Sequence, residues 1–217
     1  PEALQILGSF YGNQARDGMT SGATLLTLLP AAWFSLKGHL LMLAMLYALP
    51  LAAFIHHALS REAREEAGPH TSALMVYTLL MLGAALGLTV FYTASTAGYG
   101  PLDGKRLHAR YYTFALMLPV MIAAARTGAA WRRSRAVLPW AIAALLAAAI
   151  AWGAVALPAD YIFLMADGPE ITALGLDKPE TWAVLVLAVQ AAVLAVWALN
   201  RKAGALAWLL VFLPLFV

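Results

Sequence analysis

Residues Gly38–Leu59 read GHLLMLAMLYALPLAAFIHHAL, and this stretch decides the fold class. Its 22 residues include no Asp, Glu, Lys or Arg. A helix crosses about 30 Å of hydrocarbon with about 20 mostly apolar residues. Lys37 precedes the stretch and Ser60-Arg61 follows it, where the polar ends of a span belong. Working outward, the same criterion marks 72–96, 111–125, 137–157, 182–199 and the run from 203 to 217. The 111–125 stretch is short, but flanking Arg110 and Arg126 can snorkel to the interfaces. The 137–157 stretch is rich in Ala, which lets helices approach closely.

Composition agrees. The chain has 217 residues, 63% hydrophobic and 12% charged, with mean hydropathy +0.77. A soluble domain carries about 25% charged residues. Half that density cannot cover the surface of a small globule, which excludes an ordinary soluble enzyme and a nucleic-acid-binding domain. With no Cys, the chain has no disulfide, thiolate metal site or Cys nucleophile. The expected fold is an all-α polytopic transmembrane helical bundle of about six spans, in one transmembrane region. Residues 1–22 read as a polar loop. Residues 23–36 are too short for an ordinary span and contain Pro30, so they read as an interfacial, re-entrant or short helix. Pro50, Pro119 and Pro139 fall in or near spans, where kinks are expected.

The first residues, Pro1-Glu2-Ala3, carry no signal-type pattern, and the last lie inside an apolar run. These ends lead to the expectation of a C-terminal part of a longer membrane protein. Its remainder, or other membrane subunits, would then be partners, together with membrane lipids.

Basic residues in alternate loops set the expected orientation. Loops 60–71, 126–135 and 200–202 hold eight Lys and Arg; the N-terminal stretch, 97–110 and 158–181 hold six. The first group is therefore expected at the cytoplasm, with the Trp131–Arg135 turn as its strongest element. The second group then faces outward.

That orientation places GYGPLDGKRLHAR, residues 98–110, outside, although it carries Lys105, Arg106, His108 and Arg110. Arg110 adjoins Tyr111, Tyr112 and the next span. A cationic cluster beside aromatic rings suits a lipid-linked phosphate, because Arg offers a planar fork to phosphate oxygens. The alternative is a set of interfacial anchors for a short helix. The loop 158–181 holds Asp160, Asp167, Glu170, Asp177 and Glu180 against Lys178. Such carboxylates serve as a general base, hold a divalent cation, or are simply solvated; Asp17 beside Arg16 is open to the same readings. His56-His57 lack the i,i+4 spacing of a metal pair and read as interfacial, and His39 stands alone. No metal site or cofactor motif is identified. Span interiors without Asp, Glu, Lys or Arg weigh against an ion-coupled transporter.

The stretch Arg106-Leu107-His108-Ala109-Arg110-Tyr111-Tyr112-Thr113-Phe114 resembles bacterial membrane glycosyltransferases of the GT-C class. In these, an outward H-x-R-Y precedes an apolar span containing Pro, here 111–125 with Pro119. They are similar to dolichyl-phosphate-mannose-dependent mannosyltransferases and arabinosyltransferases. The resemblance implies an all-helical bundle in the bacterial inner (cytoplasmic) membrane and a polyprenyl-phosphate sugar as donor. It implies transfer to an acceptor on the extracytoplasmic side, with Lys105, Arg106, His108, Arg110, Tyr111 and Tyr112 at the lipid phosphate. The class carries its catalytic Asp or Glu in a first outward loop that nothing here matches. The catalytic residue is therefore unknown, a divalent cation is left to a longer chain, and this chain alone is expected to be inactive. The competing expectation is a non-enzymatic integral membrane subunit, such as a scaffold, flippase or transporter component, whose basic loop anchors lipid.

Overall fold

The structure is a computed structural model that describes residues 25–97, 102–128, 137–168 and 180–216. Five main helices follow in order: α1 (Leu25–Leu59), α2 (Arg61–Thr96), α3 (Thr113–Arg126), α4 (Val137–Asp160) and α5 (Glu180–Leu199). A last segment comprises α6 (Arg201–Ala207), a π-helical turn (Trp208–Phe212) and α7 (Leu213–Phe216). No strand occurs among the described residues, apart from one isolated bridge between Arg106 and Ile162. The chain is thus all-α. Three helices, Leu28–Leu59, Arg61–Thr96 and Val137–Asp160, are long and apolar enough to cross a membrane. The 14-residue α3 rises only about 21 Å, short of the hydrocarbon thickness.

Helix α1 is the hub. It packs against α2, α4 and α5, and 78% of its apolar window is buried, against 39% for α2 and α4. Met42, Met45, Leu46 and Leu49 are fully enclosed there. On α2 and α4, Leu79, Leu80, Leu145, Trp152 and Val155 are exposed. Such apolar faces match the hydrocarbon of a bilayer in polarity.

Residues 25–36 do not form a separate piece: they run without a break into the 38–59 span as one 35-residue helix. Pro30 does not divide it. The helix is bent instead at Tyr47, whose φ/ψ of −122°/32° leaves the helical region. Pro50 three residues later is the cause, because it brings no N–H and its ring pushes on the preceding turn. Gln190 of α5 donates its Nε2 to the Met45 carbonyl at 2.6 Å, one residue before the Leu46 carbonyl that Pro50 leaves without its N–H. A bend inside an apolar bundle persists only when neighbours satisfy the freed backbone.

The expected loop 60–71 also differs. Ser60 caps a helical turn by accepting from the Ala63 N–H, and Arg61–Ala67 are helical. Gly68 then turns at φ +71°, a conformation that favours glycine, and Pro69 restarts the helix. Near the other end of the chain, Pro214 cannot donate to the Leu210 carbonyl. The helix widens just before it, and the Leu213 N–H reaches the Trp208 carbonyl.

The two sets of loops separate to the two ends of the bundle. Glu66 joins Arg126 and Arg201 at one end. Lys37–Asp160 and Arg106–Asp167 join the other set. The Trp131–Arg135 turn, residues 1–22 and Glu170, Asp177 and Lys178 lie outside the described residues.

Candidate functional site: a polar cap at the Arg106–Asp167 end

The cap begins where α4 ends. Asp160 accepts from Lys37 Nζ at 3.1 Å, and the Lys37 ammonium lies 5.2 Å and 5.7 Å from the ring centres of Phe34 and Tyr161. Tyr161 stacks on Phe34 at 4.6 Å and donates its hydroxyl to the Phe34 carbonyl at 2.6 Å. Burial, reinforced by the Asp160 charge, pushes the Tyr161 pKa up to about 12, so the phenol remains a donor. This contact permits no side chain at residue 38: a Cβ on Gly38 would overlap the Tyr161 ring and Leu107.

Beyond Tyr161 the Ile162 N–H donates to the Lys105 carbonyl at 3.0 Å, which aligns the 102–112 and 161–168 segments. A 3-10 turn at Met165–Asp167 then aims Asp167 inward, where it is 0% exposed. Arg106 closes on it with two bonds, Nε to Oδ2 at 3.0 Å and Nη2 to Oδ1 at 2.9 Å. His108 Nδ1 reaches the same Oδ1 at 3.1 Å. An ionised carboxylate only accepts, so Nδ1 carries the proton and Nε2 keeps the lone pair. Tyr92 and Tyr111 flank the His108 ring with centroids 5.8 Å and 5.7 Å away. Burial lowers the His108 pKa; Asp167 opposes this, while Arg106 and Arg110 add to it. The imidazole is therefore neutral at pH 7. The hydrogen bond to Asp167 raises the Arg106 pKa above its ordinary value.

The six sequence-predicted residues divide. Arg106 and His108 are engaged by Asp167. Lys105 and Arg110 are exposed. Arg110 lies 5.0 Å from the centre of the Tyr111 ring, bonds the Tyr111 hydroxyl at 3.1 Å and reaches the Ala166 carbonyl at 3.4 Å. Tyr112 is fully buried, and its hydroxyl meets His39 Nδ1 at 2.8 Å. It points into the bundle, because the one-residue step from Tyr111 turns it by about a third of a helical turn onto the buried side.

Sequence reasoning did not single out Asp167 from its acidic loop, nor link His39 to Tyr112. The available signal was that an acidic loop and a basic loop fall at the same end of the bundle. At the other end His56, expected at the interface, is buried edge-on against Trp197 at 5.8 Å. No group of three or more metal-ligating side chains occurs among the described residues.

Comparison with protein-family models, curated proteins and solved structures gives no match for this chain. The functional reading therefore rests on the chemistry of the cap.

Proposed function

We propose that this chain is the membrane part of a glycosyltransferase that uses a polyprenyl-phosphate sugar, and that the polar cap receives the lipid phosphate. The observation that carries the reading is Arg110. Its guanidinium is exposed, stacked over Tyr111 and located at the entry to the short apolar helix α3. A guanidinium carries five N–H groups, and a phosphate competes for those that now meet the Ala166 carbonyl and the Tyr111 hydroxyl. Lys105 is exposed on the same loop and adds positive charge. The Arg106–Asp167–His108 group acts as the frame that holds this loop, and Arg106 is withdrawn from direct phosphate contact. Tyr112 is withdrawn likewise. The leaving phosphate develops charge during sugar transfer, and Arg110 is placed to stabilise it. No residue of this chain is assigned as the base that activates the acceptor.

A second reading is a non-enzymatic membrane subunit, in which the loop anchors anionic lipid. It is favoured by the same internal pairing of Arg106 and His108, which leaves the exposed charge small.

The test is binding of a short-chain polyprenyl phosphate to the detergent-solubilised chain, with the corresponding polyprenol and phosphatidylglycerol as controls. The transferase reading expects binding of the phosphate and none of the alcohol. Arg110→Ala weakens it by about 30-fold or more, and Arg110→Lys restores part. Equal binding of polyprenyl phosphate and phosphatidylglycerol, with Arg110→Lys indistinguishable from the parent, identifies the anchor.

A further inference from the structure

The end of the bundle remote from the cap holds a second ionic cluster that the reading above does not use. Arg126, the last residue of α3, donates Nη2 to Glu66 Oε2 at 3.1 Å. Arg201, the first residue of α6, donates Nη1 to the same oxygen at 2.6 Å. Both guanidiniums are largely enclosed, with side-chain exposures of 9% and 12%. Two cations thus share one carboxylate, and the group carries an uncompensated positive charge.

Among the described residues, neighbouring charges do not remove the excess: Glu62, exposed at the surface, is matched in number by Lys202. Arg64 is committed to the end of α1, where its Nη1 bonds the His57 and Ala58 carbonyls at 3.1 Å and 2.9 Å. Arg61 and Glu65 neutralise each other at the exposed surface. His56 faces the cluster, with Trp197 against its ring, and supplies no negative charge. Arg201 Nε and His57 Nδ1 are shielded from solvent and have no hydrogen-bond partner among the described residues. A buried guanidinium N–H without an acceptor is costly, because the charged group gives up its hydration for nothing in return. An enclosed cation excess at a membrane interface costs further.

Both deficits have one remedy. We infer that the Arg126–Arg201 pair, held apart and oriented by Glu66, is a binding site for a phosphate group. A phosphate brings the missing negative charge and several acceptor oxygens, of which one serves Arg201 Nε when the guanidinium turns toward it. Basic pockets between membrane helices are suited to phospholipid headgroups, and a free phosphate shares the same chemistry. Glu66 is the positioning residue: it fixes two guanidiniums that would otherwise repel.

The experiment is the melting temperature of the purified 217-residue chain in neutral detergent, titrated with three probes. These are phosphatidylglycerol, phosphatidylcholine as a headgroup without net charge, and inorganic phosphate. Phosphatidylglycerol is expected to raise the midpoint and phosphatidylcholine not to. A matching rise with inorganic phosphate at millimolar concentration assigns the site to free phosphate; its absence assigns it to the lipid. Arg126→Gln and Arg201→Gln should each weaken the effect about tenfold or more, and added salt should weaken it further. Arg201→Lys keeps the charge, loses Nε, and should bind with intermediate strength. Arg61→Gln, at the exposed surface of the same end, should leave the titration unchanged, and because the dependence on Arg126 and Arg201 is read separately from that on Arg110, failure here and failure of the cap reading are separable. If neither anionic probe raises the midpoint, or if Arg201→Gln and Arg201→Lys bind like the parent, the proposal is overturned.

Discussion

Arg106 and Asp167, sixty-one positions apart, are joined by two hydrogen bonds of 3.0 Å and 2.9 Å, and the carboxylate is wholly enclosed. This bidentate contact ties the turn after α4 to the loop before α3. Removing one partner of an enclosed ion pair leaves the other uncompensated, which costs about 3–5 kcal/mol when both are buried. Arg106 keeps 27% side-chain exposure, so water recovers part of the loss. Asp167→Ala is expected to destabilise the protein by about 2–4 kcal/mol, and Arg106→Ala by less. A double-mutant cycle read from detergent unfolding checks this. A coupling near zero would show that the pair is incidental.

Burial beside the same carboxylate makes His108 a reporter of pH. Burial holds the folded His108 pKa below its ordinary value, while the unfolded chain takes up a proton near pH 6.5. Between those limits the unfolded state binds more protons, so stability falls as pH drops below about 6.5 and levels once folded His108 titrates. Stability is fully retained above that window. His108→Gln should remove this component, seen as the difference between the two melting-temperature profiles from pH 5 to 8. Parallel profiles would mean that His108 contributes none of the acid sensitivity.

The helical class and the division of loops between two ends were legible in the sequence because both follow from hydropathy and alternation. Their details depended on contacts between distant residues. The continuity of residues 25–59 was hidden because Pro30 and Lys37 look like breaks. Pro30 is tolerated within the helix, and Lys37 is accommodated by Asp160, 123 positions away. Of the cap, the basic residues were visible as a run, but which of them face outward was not. That depended on Asp167, whose burial arises from a turn that no local pattern announces. Tyr111 and Tyr112 are identical in chemistry and were separable only by geometry.

Gln190 offers a test of how the bend in α1 is sustained. Its side chain donates to the Met45 carbonyl within an apolar interior. Hydrogen bonds inside membrane bundles are worth about 0.6 kcal/mol on average and up to about 1.7. Gln190→Met, which preserves volume and removes the donor, is expected to cost about 0.5–2 kcal/mol. Pro50→Ala returns an N–H to the helix and relaxes the bend, so the same change should cost less in that background. Equal costs in both backgrounds would separate Gln190 from the bend.

The orientation of the bundle is the prediction on which the transferase reading depends, since a lipid-linked sugar would be used on the outer face. We expect the Glu66–Arg126–Arg201 end at the cytoplasm and the Arg106–Asp167 end outside, from the excess of basic residues in the first set of loops. The absence of Cys makes the test clean, because single introduced thiols are labelled without background. Asp167 is unsuitable as a reporter, being enclosed and paired. Met165 is 75% exposed two residues earlier, and the Arg61 side chain is 86% exposed at the opposite end. Among the described residues Arg61 is engaged only by the surface residue Glu65, a contact worth about 0.3–0.5 kcal/mol, so its replacement should not disturb the fold. Intact cells treated with a membrane-impermeant maleimide should label Met165→Cys and spare Arg61→Cys until the membrane is opened. The reverse pattern would put the cap in the cytoplasm and remove the outer-face transferase reading. The cation cluster around Glu66 would then face the outer leaflet.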